Sequence, residues 1–163
     1  MASKYSFEDM LPIFRMAAIF RNEAKKAGFT DNGGAIHGAE RILEIMAQRI
    51  KYPGLNHVNR IREHSGAEFS LKAGVALKEG EETHIEHVSP IRHFTQMAIQ
   101  KLIVEKCSDE EFKAYVLDYY RLVILTKDEA KNLDRRNRSK MAPKRLEDAG
   151  IELARMNQTV VDE

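Results

Sequence analysis

The eleven residues HIEHVSPIRHF, from His84 to Phe94, hold three histidines and a glutamate beside a proline. Imidazole titrates near neutral pH, so His87 could deprotonate a water. A carboxylate such as Glu86 is a hard oxygen donor, suited to Mg²⁺ or Mn²⁺. A cation held by two or three protein oxygens keeps sites free for water and a phosphate oxygen, which is what phosphodiester hydrolysis needs. Two plainer accounts stand beside that one. A satisfied core histidine explains one imidazole, and a solvated loop explains all three. Adjacent strand residues face opposite ways, so Glu86 and His87 reach one cleft only if the chain bends, and Pro90 favours a bend.

The elements that must position these groups are mostly helical. Apolar residues from Phe7 to Ala27 recur at helical spacing and stop at Gly28 after EAKKA. TDNGG reads as a loop. A second helix is expected from about Ala35 to Lys51, ended by YPG, and a short helical segment from Asn56 to His64. The stretch AEFSLKAGVALKEGEETHIEHV alternates loosely and predicts one or two strands. A helix from Ile91 to Lys106 follows Pro90. SDEE, from Ser108, forms a capping box for a helix to about Asp118. YRLVIL reads as a buried strand, and Thr126 caps the helix that begins KDEAKNL. A last helical stretch is expected from Glu147 to Met156.

The fold class expected is therefore α+β and mostly helical, in a single domain over residues 1–163. Residues 1–65 form a helical N-terminal part, 66–143 a core with the candidate chemistry, and 144–163 a tail or helix. A chain of 163 residues with 43% apolar content can bury a core without staples. Net charge is only +1, so the distribution of charge carries any argument about partners. The one cysteine, Cys107, excludes an internal disulfide and points to a reducing compartment. No apolar run is long enough for a membrane span. MASKYSFEDML is not a secretory signal, so a cytoplasmic location is expected. There is no phosphate-binding Gly-Lys-Ser/Thr loop, no Cys-x-x-Cys zinc pair and no serine nucleophile motif.

The second half resembles the ββα-metal, or His-Me finger, fold of HNH endonucleases. EHVSP matches that family's acidic-His-aliphatic-x-Pro, and LVILTKDEAKNL its strand-then-helix ending. LTKDEAKN is similar to the end of the HNH domain of CRISPR effector nucleases, and RNRSKMAP to the end of uncharacterised bacterial and phage HNH-like proteins. The likeness spans about Thr83 to Pro143. It implies a C-terminal ββα-metal core that cleaves DNA with one Mg²⁺ or Mn²⁺. His87 would be the general base and Glu86 a metal ligand. A further ligand would come from Asp128, Glu129 or Asn132, of which Asp128 and Asn132 share a helix face. The chain departs from the pattern at Leu122, where the family's middle asparagine sits, and at Ala130 and Lys131, where its last His or Asn falls. Those departures support the other reading: a catalytically inactive HNH-like module that binds nucleic acid or a protein, as an accessory or inhibitor.

Each residue also has a bland account. Asp128 and Glu129 suit the first turn of any helix. His84 reads as half-exposed and His93 as a packing or capping residue. Asn132 is a weak helix former, which favours a specific role. Lys131 to Arg145 is strongly basic, with only Asp134 opposing. Arg135, Arg136, Arg138 and Lys140 could contact DNA phosphates, although such runs are commonly solvated faces. The N-terminal helices could form a homodimer interface or bind a protein partner.

Overall fold

The computed structural model describes residues 5–29 and 34–154. The order is α1 (Phe7–Lys26), α2 (Gly34–Lys51), a 3₁₀ segment (Val58–Glu63), α3 (Leu71–Lys78), β1 (Thr83–His87), α4 (Ile91–Ile99), a π-helical turn (Gln100–Val104), α5 (Asp109–Tyr119), β2 (Leu122–Thr126), α6 (Lys127–Asn137) and α7 (Arg145–Asp148). The protein is α+β and mostly helical, as expected, with 63% helix and a two-stranded antiparallel sheet.

Local chemistry explains most boundaries. Ser6, Ser108 and Thr126 each cap a helix, and the acid three residues on bonds back to the cap amide, making three capping boxes. Gly28, at φ +88°, follows α1 in the left-handed region that glycine tolerates. Two expectations are corrected. The stretch from Leu71 to Lys78 is helix, not strand, because the Ser70 hydroxyl caps it by accepting from the Ala73 amide. The last helix is α7, and residues after it run extended: Leu153 bridges Ser70 antiparallel. The loop at 30–33 and the end of the expected last helix at 155–156 lie outside the described residues.

Two cores form. The larger joins α1, α2, α4 and α5 around Phe14, Leu43, Met46, Phe94, Phe112 and Tyr120, and reaches the sheet through Leu122 and Ile124. The smaller holds Val123, Leu125, Leu133, Leu146, Ala149 and Ile151, so α6 and α7 cover the opposite face of β2. Alternation along β2 therefore feeds two cores, which explains why four residues in a row, Leu122 to Leu125, are fully buried.

Candidate functional site

The sheet register decides where each candidate side chain goes. β1 and β2 pair Thr83 with Thr126, His84 with Leu125, Ile85 with Ile124, Glu86 with Val123 and His87 with Leu122. Directly opposed residues share a face. Glu86 and His84 therefore lie on the Val123/Leu125 face, toward α6 and α7. His87 lies on the Leu122/Ile124 face, toward α2 and the larger core. The chain order strand–strand–helix is present in β1, β2 and α6, yet its glutamate and histidine part to opposite sides.

His87 bonds Glu44 of α2, with Nε2 to Oε1 at 2.9 Å, and its ring meets Tyr120 edge-on at 5.8 Å. The His87 hydrogen bond holds the Glu44 carboxyl below the usual carboxylate range, and Arg41 adds a smaller pull in the same direction. Among the described residues the buried Tyr120 hydroxyl has no partner in good hydrogen-bond geometry; burial pushes its pKa up, and the neighbouring Gln48 side chain pulls less strongly the other way. Glu86 accepts from Arg145 Nη1 at 2.8 Å and lies 3.2 Å from His84 Nε2. Arg145 is 3% exposed. The same Nη1 reaches the carbonyls of His87 and Val88, and Nε donates to the carbonyl of Asn137. A guanidinium, clamped by the carboxylate and three carbonyls, is the cation that sits against Glu86.

The α6 candidates are also engaged or turned outward. Glu129 accepts from the Ser70 hydroxyl at 2.6 Å and from the Thr126 amide at 2.9 Å, so it closes the capping box and ties α6 to the start of α3. Asn132 Nδ2 donates to the Ala149 carbonyl at 2.9 Å, tying α6 to α7. Asp128 is exposed. His93 Nδ1 accepts from the Met141 amide at 2.8 Å. The structure thus brings His84 and Glu86 together, and leaves His87, Asp128, Glu129 and Asn132 in separate surroundings. Among the described residues no cluster of three or more His, Cys, Asp or Glu side chains is placed to hold a metal. The donors proposed for Mg²⁺ or Mn²⁺ do not fit one ion in this arrangement, because Glu86 is already paired with the Arg145 cation and the Glu129 carboxylate is taken up by the Ser70 hydroxyl and the Thr126 amide.

Arg135, Arg136, Arg138 and Lys140 are exposed, as are Lys131 and Lys144. Among the described residues none of these six forms an ion pair; neither do the exposed Lys25, Lys72, Lys78 and Lys106, whereas Arg15, Arg41, Arg60, Arg92, Lys113, Arg121 and Lys127 do. What sets the six apart is their density, offset within the run by Asp134 alone.

Sequence reasoning overlooked Glu44 and Tyr120 and counted Arg145 with the solvated cations. Glu44 carried little signal: it stands in a polar row with Glu40 and Gln48, about a third of a turn from the apolar stripe of α2. Arg145 carried none, because its burial follows from α7 docking on α6.

No family model matches the chain, and no curated protein or solved structure matches it. No described helix is long and apolar enough to cross a membrane.

Proposed function

We propose that this chain is a non-catalytic module that binds DNA by sequence-independent contacts to the phosphate backbone. The observation that carries the reading is the dense, exposed cationic run from Lys131 to Lys144 on and after α6, none of whose cations forms an ion pair among the described residues. Cations already paired to carboxylates gain little from a phosphate, while uncompensated ones release condensed counterions on binding. The engagement of Glu86 by Arg145, and of His87 by Glu44, supports a structural role for the EHVSP segment.

A second reading, a Mg²⁺- or Mn²⁺-dependent endonuclease with His87 as base, is favoured by the β1–β2–α6 order and the EHVSP motif at the end of β1. It demands that His87 leave Glu44 and Glu86 leave Arg145 before both can serve one cleft. One experiment separates the two. Wild type and His87→Ala are incubated with supercoiled plasmid in Mg²⁺, Mn²⁺ or EDTA, and band shifts are run in parallel. The expected result is a shift in all conditions with no nicking by either protein. Metal-dependent nicking lost in His87→Ala establishes the endonuclease instead. Absence of any shift at low salt removes the DNA reading.

A further inference from the structure

Helix α1 is apolar on two sides. Phe7, Leu11, Phe14 and Ala18 face the larger core. On the opposite side Ile13 is 52% exposed, Met16 71%, Ile19 50% and Phe20 64%. These four follow the i, i+3, i+6, i+7 spacing of one helical face, so they form a continuous stripe. Contiguous apolar patches larger than roughly a few hundred Å² are rare on monomeric soluble domains and mark sites of association.

The ends of the stripe are oppositely charged. Glu8 lies at its N-terminal end, its side chain 64% exposed even though it pairs with Lys113. Lys26 lies at its C-terminal end, 73% exposed and paired with Glu23. Counting turns places Glu8 and Lys26 along the same edge of the stripe, eighteen positions apart and so about 27 Å. A twofold axis through the middle of α1 reverses the second helix and keeps each edge on its own side. It sets Glu8 against the partner's Lys26, and Ile13 against the partner's Phe20. Both ends then join acid to base in a four-charge network with Lys113 and Glu23, while Met16 packs near the axis. A parallel pairing would put the two copies of Glu8 at one level on opposite edges of the seam, and Lys26 likewise at the other end, so that no acid meets a base across it.

We propose that α1 is the seam of an antiparallel homodimer, with Ile13, Met16, Ile19 and Phe20 as its apolar centre and Glu8 and Lys26 as the charges that set its direction. The occupant of this face is a second copy of the chain, since the face is complementary to itself in both apolar content and charge. This inference does not rest on DNA binding.

Sedimentation of the full chain over a concentration series tests it. Wild type dimerises. The Met16→Glu, Phe20→Glu double variant is monomeric wherever wild type is dimeric, with its far-UV circular dichroism unchanged because both positions are exposed. Glu8→Lys and Lys26→Glu each weaken the dimer several-fold, and the two together restore it. A wild type that is monomeric at every concentration overturns the proposal. So does a dimer that survives the apolar substitutions. A combined charge swap no better than either single one overturns the antiparallel arrangement. Should the apolar variant fail to fold, the charge-swap series decides alone.

Discussion

At the residue scale, the two groups with the most chemistry in sequence, Glu86 and His87, are each already engaged by other side chains. Arg145 is buried beside a carboxylate that is itself mostly buried, the pair being 1% and 12% exposed. Replacing one member of such a pair leaves the other charge uncompensated, at a cost of about 3–5 kcal/mol. Arg145→Met should lower the unfolding free energy measured in urea by that much, and Arg145→Lys should recover little of it. A lysine cannot reproduce the fork that serves Glu86, the carbonyls of His87 and Val88, and that of Asn137. The Glu44–His87 bond predicts a pH dependence. The folded pKa of Glu44 lies below its ordinary value, so the bond's stabilisation is present above the ordinary glutamate range and is lost as pH falls through the lowered pKa. Acid unfolding curves should therefore be less steep in His87→Ala than in wild type. An identical slope in the two proteins would remove the bond from the account.

At the element scale, hydroxyl caps join helices as well as start them. Ser70 Oγ accepts from the Ala73 amide to begin α3 and donates to Glu129 at the start of α6. Ser70→Ala removes an N-cap and one of the donors to a buried carboxylate, for a loss of about 1–3 kcal/mol. Ser70→Thr keeps both bonds in kind, so thermal melts of the two variants should separate a lost hydroxyl from general disturbance at the site. Helices α5 and α6 were legible from their caps, since Ser108 and Thr126 satisfy orphan amides locally, and α1 from its apolar spacing, with its Ser6 capping box seen in the structure. Helix α3 was not legible. It is eight residues long, and Gly74 lies inside it, so its propensity is weak and its packing against the sheet decides its form.

At the scale of the whole molecule, exposed positive charge is concentrated in one run. Six cations between Lys131 and Lys144 face solvent without an ion pair among the described residues, while other exposed lysines without one, such as Lys25, Lys72, Lys78 and Lys106, stand apart along the chain. If that run contacts phosphates, the logarithm of DNA affinity falls linearly with the logarithm of salt concentration. Replacing Arg135, Arg136, Arg138 and Lys140 by alanine should weaken binding evenly across sequences and flatten that slope by about one for each phosphate that is no longer neutralised. A slope unchanged by all four substitutions would place the DNA-binding surface elsewhere. An α1-mediated dimer would carry two such runs, so the salt slope is best compared at concentrations where the oligomeric state is known.

By itself the sequence determined the helices with strong caps or periodicity, the strand β2, a strand within Ala67 to Val88 without its bounds, and the strand–strand–helix order, because each rests on bonds and spacings among near neighbours. It also required Glu86 and His87 to part wherever their strand stays regular, since successive residues alternate between faces. Only the tertiary structure decided which way each turned. That choice depends on which face of the sheet meets α2 and which meets α6 and α7, a matter of burying Leu122 and Ile124 in one core and Val123 and Leu125 in the other. The same long-range packing brought Arg145 to Glu86 and Glu44 to His87, from 59 and 43 residues away along the chain.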